Sequence, residues 1–265
     1  GAEKWVFADH LLNVPMATIA TTPAEAKNIE KEKIDAAKPA FKAYAEALKF
    51  MTEHAAGLKG HASRGPELIN AANYGYDQTV QMFADGNALF IQQGNWAYSN
   101  IEKINPETAK NVSFIPLKMP FTDEMIQDGR TAEQINSSII VTTGNYYAIN
   151  AKVSEEQQKQ AVEFLKWMEK EENVQKWIID SFKFIPYNVT PEMKLENPLS
   201  ESIQKYLSAG QTFNDTVVGT PKTWSGEKVG TALLEQYIGK EEWDDETLDQ
   251  IADLCVNSWK ELKSE

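Results

Sequence analysis

The sequence predicts a helix-rich α/β fold, and three observations carry that prediction. Apolar residues recur at helical spacing in several segments: Phe41, Tyr44, Ala45 and Leu48; Ala161, Phe164, Leu165 and Met168; Leu248, Ile251, Ala252, Cys255, Trp259 and Leu262. Between such segments lie short apolar runs bounded by turn residues, as buried strands are. Residues 75–104 combine the two patterns as helix, turn, strand, turn, helix.

At the front, residues 5–16 form an apolar segment of helical pattern that stops near Pro15. Thr22-Pro23-Ala24-Glu25 is a helix start: Thr22 suits the N-cap, Pro23 the first helical position, and Glu25 completes a capping box. Residues 27–38 are polar and read as helix. Pro39 interrupts, and an amphipathic helix then runs to about His54. Gly57, Gly60 and Gly65-Pro66 punctuate a loop.

In the central unit, Val80 and Phe83 share a helical face, and Asp85-Gly86 ends that helix, since glycine accepts the left-handed conformation of a C-terminal cap. Ala88-Leu89-Phe90-Ile91 is wholly apolar and reads as a strand buried on both faces. Gln92-Gln93-Gly94 turns the chain. Asn95 can cap the next helix through its side-chain oxygen, with Ile101 and Ile104 inward. Trp96 then stands at a strand-to-helix turn, the edge where ligands bind in open α/β sheets. The same place also suits a ring that simply packs over the sheet end.

Residues 111–117 read as a strand, and residues 137–150 as two strand-like runs broken by Gly144-Asn145. Ser154 with Gln157 forms a capping box for the helix of Ala161 to Met168. Val174, Trp177 and Ile178 mark a second helix, followed by the short apolar segment Ser-Phe-Lys-Phe-Ile-Pro-Tyr-Asn at 181–188. Asn197-Pro198 starts a helix that buries Leu199, Ile203, Tyr206 and Leu207 and closes at Gly210. A long loop at 211–225 holds Trp224. Ser225 can cap a helix with Val229, Ala232, Leu233 and Tyr237 inside, which stops at Gly239. The last helix begins near Asp244. Cys255 lies on its apolar stripe and reads as a small core residue.

Composition narrows the function classes. The chain has 265 residues, enough for one large domain or two smaller lobes. A net charge of −13 argues against a nucleic-acid partner, whose phosphates it would repel. One cysteine excludes an internal disulfide. No run approaches the roughly 20 apolar residues of a membrane-spanning helix.

Enzyme chemistry finds little support. His10, His54 and His61 lack metal-ligand spacing. No Gly-x-Ser-x-Gly elbow or phosphate loop occurs, and the acidic clusters Glu241-Glu242 and Asp244-Asp245-Glu246 sit at a helix start, where negative charge is favourable. No catalytic residue, metal or cofactor is therefore expected. Aromatics at turns point instead to recognition. Sugar binding needs flat rings against pyranose C–H surfaces and convergent polar groups for the hydroxyls. Trp96, Tyr146 and Tyr147, Trp224 and Trp5 are the candidates, with Asn95 as an amide if the helix does not use it. On a strand, only one of Tyr146 and Tyr147 can face a given side. Core packing competes as a reading for the other tyrosine and for Trp5.

The order D-G-N-A-L-F-I at 85–91, Q-G-N-W-A-Y-S-N-I at 93–101, N-V-S-F-I-P-L at 111–117, G-N-Y-Y-A-I-N at 144–150, S-E-E-Q from Ser154 and F-I-P-Y-N at 184–188 resembles bacterial ABC-transporter extracellular solute-binding proteins of family 1, the maltose-binding-like carbohydrate type. The resemblance implies a two-lobed periplasmic-binding-protein-like (type II) architecture, with a discontinuous second lobe at 1–108 and 195–265. Residues 109–194 would belong to the first lobe, which is expected to be incomplete because nothing here matches the family's long N-terminal segment. Trp96 and Trp224 would be stacking platforms of the second lobe, and Tyr146 or Tyr147 would face the cleft from the first. The implied function is capture of a sugar or oligosaccharide by hinge closure of the lobes, with delivery to ABC transporter permease subunits. The protein would act as an extracellular or periplasmic monomer, possible membrane anchoring being as a lipoprotein through a preceding segment. The alternatives are a glycan-active hydrolase and a helical partner-binding scaffold; the scaffold leaves the strand-turn-Trp unit and the aromatic loops unexplained.

Overall fold

The computed structural model describes residues 2–56, 64–142, 146–195 and 197–263. In chain order its principal elements are a π-helical turn at Val6–His10, α1 (Pro23–Lys27), α2 (Lys31–Ala36), α3 (Lys38–Glu53), α4 (Tyr76–Ala84), α5 (Tyr98–Ile104), β1 (Ile139–Val141), α6 (Glu155–Met168), a π-helical segment at Val174–Ser181, α7 (Pro198–Ser208), β2 (Thr212–Asn214), π-helical segments at Trp224–Gly230 and Leu233–Ile238, and α8 (Asp245–Leu262). Helix dominates. β1 and β2 pair in parallel, with Ile139 opposite Thr212 and Val141 opposite Asn214. No helix among the described residues is long and apolar enough to cross a membrane.

The chain divides into two compact units, each discontinuous. The first comprises residues 1–93, 115–141 and 211–265, the second residues 94–114 and 142–210. These bounds differ from those the sequence suggests: residues 94–108 and 195–210 group with 109–114 and 142–194, and residues 115–141 group with the first unit.

The first unit is built around α3 and α8. Phe41 and Tyr44 on α3 and Ile251, Cys255 and Trp259 on α8 are fully buried. Their spacing of three and four residues puts each set on one helical face. Trp224 joins them, edge-on to Phe41 at 6.0 Å, with its indole N–H donating to the Cys255 carbonyl at 2.9 Å. The Tyr44 hydroxyl donates to the Phe7 carbonyl at 2.5 Å and so ties the first helical turn to this core. Burial pushes the Cys255 thiol far above its ordinary range, which leaves it an inert core residue. Lys38 pairs with Asp253 and Lys42 with Asp245 and Asp249 across the two helices. These are surface pairs and add little beside the buried rings.

Three of the expected caps form. The Thr22 hydroxyl accepts from Glu25 N–H, Ser154 and Gln157 form a complete capping box, and the Asn197 side chain accepts from Ser200 N–H. The Glu25 carboxylate, however, turns back chiefly to Thr21 N–H and the Thr21 hydroxyl. At the end of α4, Gly86 takes φ +78°, Gly86 N–H donates to Phe83 O, and Asn87 N–H donates to Met82 O. This is a Schellman closure that requires the left-handed glycine. Pro39 does not interrupt a helix: it lies in the first turn of α3, where its missing N–H costs nothing.

The expected strands mostly fail to form. Residues 88–91 make no ladder, and Leu89 and Phe90 are 81% and 69% exposed. An apolar run states that burial would be favourable but does not supply the neighbouring strand. Residues 111–117 are also irregular. There the Phe114 N–H donates to the Ser202 hydroxyl and the Phe114 carbonyl accepts from the Tyr206 hydroxyl, so side chains of α7 meet the backbone's polar groups. Of the two runs within 137–150, only the first is a strand. The Gly144-Asn145 turn, Gly57, Gly60 and His61 lie outside the described residues.

The second unit has a smaller core. Val174, Ile179 and Leu195 cluster with Ile178, Ile185 and Val189. On α6 only Met168 of the expected inner face is buried, and Phe164 is 53% exposed.

Candidate functional site

In the second unit, the turn at Gly94 presents Trp96. Asn95–Ala97 forms a single 3₁₀ turn that leads into α5, and Ala97 and Tyr98 are buried and anchor it. A Cβ on Gly94 would lie 2.0 Å from the Trp96 ring, so the absence of a side chain is what lets the indole fold over its own turn. Trp96 remains 42% exposed and presents ring surface to solvent. Asn95 does not hold the expected cap position: Gly94 precedes the 3₁₀ turn and Ala97 precedes α5.

Tyr146 and Tyr147 belong to the same unit and are both exposed, at 80% and 59%. The expected alternation of one inward and one outward ring is absent because this stretch is not a strand.

Trp224 requires a correction. It is fully buried in the first unit's core, with its N–H already satisfied by Cys255, so it offers no face to a ligand. Position in a polar loop suggested exposure; the apolar groove between α3 and α8 claims the ring instead. Trp5 is half-buried. Its indole N–H donates to Glu3, and its ring meets His10 edge-on at 5.0 Å and lies tilted against Tyr76 at 6.2 Å.

The first unit contains a cavity of about 270 Å³, lined by Asp9, Asp215, Val217, Val218, Thr220, Pro221, Lys222 and Ser225. Asp9 comes from the first helical turn, Ser225 from the helix at 224–230, and the rest from the segment between β2 and that helix. Asn13 locks these pieces together: its amide N–H donates to the Asp9 carbonyl, and its oxygen accepts from Val217 N–H at 2.9 Å. The Ser225 hydroxyl donates to Asp9 Oδ1 at 2.6 Å, so it serves the cavity wall and not the helix cap expected of it. Asp215 Oδ1 is buried and accepts no hydrogen bond. Burial lowers the basicity of His10, and the nearby Asp9 and Asp215 carboxylates offset this only in part.

Sequence reasoning weighed His10 only as a metal ligand and did not single out Asp9 or Asp215. A signal existed for the first two, since Asp9-His10 is a charged, titratable pair inside an otherwise apolar helical run. Among the described residues, no group of three His, Cys, Asp or Glu side chains is placed to hold a metal ion.

A helix-rich α/β chain with aromatic rings displayed from turns and, in its first unit, a small cavity of largely apolar lining is of a class suited to binding a small solute. The comparison with protein families makes this specific. Residues 6–227 match the family described as bacterial extracellular solute-binding protein, and the chain belongs to that family. Its members capture solutes outside the cytoplasm for transport and are generally not enzymes. Comparison with curated proteins gives no match, and neither does comparison with solved structures.

Proposed function

We propose that the solute is a sugar or short oligosaccharide, which the protein delivers to the permease subunits of an ABC importer. The observation that carries this reading is the Trp96 turn, in which a glycine is spent to hold an indole over the backbone while part of the ring stays in solvent. An exposed ring costs solubility and stability unless it meets something, and a pyranose offers the matching flat C–H face. The exposed Tyr146 and Tyr147 supply further ring surface in the same unit. No bond is made or broken, and neither metal nor cofactor enters the reading. A micromolar dissociation constant would correspond to about −8 kcal/mol.

The test is a titration of intrinsic tryptophan fluorescence with maltose, longer maltodextrins and a set of monosaccharides, on the wild-type chain and on Trp96→Ala. A saturable change lost in the variant is expected. An unaltered titration in Trp96→Ala, or no response to any sugar from the folded wild type, would exclude this reading.

A further inference from the structure

The first unit holds a pair of aromatic rings that its core does not absorb, and one carboxylate sets both of them. Trp5 and Tyr76 stay partly open to solvent, whereas Phe7 and Tyr74 close by in sequence are buried. The Trp5 indole N–H donates to Glu3 Oε2 at 3.1 Å. The Tyr76 backbone N–H, at the start of α4, donates to Glu3 Oε1 at 3.4 Å across 73 positions of sequence. Ala2 N–H donates to the Tyr74 carbonyl at 3.0 Å and ties the same two backbone segments together. The two ring centroids lie 6.2 Å apart with their planes tilted by 39°, and His10 supports Trp5 edge-on at 5.0 Å. Neither ring is stacked flat on the other, so ring surface remains for a third group.

A single half-exposed ring is ordinary on a protein surface. Two rings fixed by both oxygens of one side chain are a different case. Ordering a glutamate costs rotamer entropy, and hydrogen bonds this close to water return little of it as stability. What the arrangement does achieve is pre-organisation: a ligand that meets rings already in place loses less freedom on binding. Each carboxylate oxygen can accept more than one hydrogen bond, so Glu3 can also take a hydroxyl proton from a ligand lying on the rings. Flat rings for C–H faces and an acceptor beside them are the two halves of sugar recognition. The charge of Glu3, within a chain of net charge −13, disfavours an acidic sugar and leaves a neutral one.

We propose that Trp5 and Tyr76 form a stacking platform for a neutral sugar ring in the first unit, with Glu3 positioning both rings and accepting a ligand hydroxyl. The proposal rests on the sugar-binding reading and adds two residues to it, Glu3 and Tyr76. The pair takes the place in the first unit that the sequence assigned to Trp224, whose ring lies in the core. Tyr76 acts here through its ring face and Glu3 through geometry, so the two predict different responses to substitution.

Calorimetric titration of the full chain with maltose, maltotriose, glucose and galactose selects the tightest of the four for the variants. Trp5→Leu and Tyr76→Leu keep apolar bulk but lose the aromatic face, and each should weaken binding by about tenfold. Tyr76→Phe keeps the ring and should stay within about twofold of wild type. Glu3→Gln keeps the size but offers one acceptor oxygen to two N–H groups, and should weaken binding by about fivefold. Denaturation midpoints should stay near wild type throughout, since both rings are partly exposed. A separate reading needs no leucine variant: in wild-type chain labelled with 5-fluorotryptophan, the fluorine resonance of Trp5, assigned with Trp5→Phe, should move as the sugar saturates. Wild-type affinity in either leucine variant, or an unmoved Trp5 resonance at saturation, would overturn the proposal and leave sugar capture at Trp96 standing. Wild-type affinity in Glu3→Gln would overturn the role given to Glu3. Silence of the folded wild type toward all four sugars would end both readings.

Discussion

Trp224 and Trp96 begin from similar sequence surroundings and end in opposite states. Each follows a turn that contains glycine or proline, and each precedes a helical segment. Trp224 is fully buried against Phe41, with its N–H satisfied by the Cys255 carbonyl. Trp96 stays 42% exposed and leans on the one residue that has no side chain to obstruct it. The difference lies in what each unit can offer a ring. The first unit pairs two long amphipathic helices, α3 and α8, and the groove between them has room for an indole. Among the described residues the second unit shows a small cluster, and it leaves Phe164, Trp167, Tyr146, Tyr147 and Tyr187 exposed as well. The same residue type is therefore core in one unit and surface in the other.

The sharpest break of this comparison is Trp224→Ala. It removes a buried indole and its hydrogen bond to the Cys255 carbonyl, and should cost about 3–5 kcal/mol in denaturant unfolding. Trp96→Ala should stay within about 0.5 kcal/mol of wild type in the same assay. Equal losses in the two variants would show that Trp96 is also a core ring.

Gly94→Ala sharpens the other side. Its Cβ would fall 2.0 Å from Trp96 Cζ3, so the ring must move. The helix that follows is anchored by buried Ala97 and Tyr98 and should persist. Stability should change by less than about 1 kcal/mol. Sugar affinity, read from tryptophan fluorescence, should fall nearly as far as in Trp96→Ala. Unchanged affinity would mean that the ring's pose does not matter for binding.

These contrasts also show what the sequence could say. Caps were legible because they are local: Thr22, Ser154 and Asn197 each act within three residues of themselves. The inner faces of α3 and α8 were legible because helical spacing is regular. Strands were not, because an apolar run such as residues 88–91 does not name its partner. The fate of Trp224 was hidden for a related reason, as its burial depends on Phe41 and Cys255, which are distant in sequence. The cavity was hidden most fully. Asp9 and Asp215 are 206 positions apart and meet only because Asn13 pins the Val217 turn to the first helical segment.

That junction makes the smallest prediction. His10 is held below its ordinary basicity first by burial, against the opposing pull of Asp9 and Asp215. The unfolded chain therefore takes up a proton at His10 near pH 6.5, before the folded chain does. Protons then favour the unfolded state, so this contribution to stability is intact above about pH 6.5 and declines as the pH falls toward the folded value. One proton can supply a slope of at most about 1.4 kcal/mol per pH unit, and His10 should give a fraction of that because it is partly open to solvent. Denaturation midpoints of wild type and His10→Gln between pH 8 and pH 5 should diverge in one direction, with the wild type losing more on acidification. Parallel curves would place His10 in water, and a wild type that gains on acidification would mean that Asp9 and Asp215 outweigh burial and hold His10 as a cation.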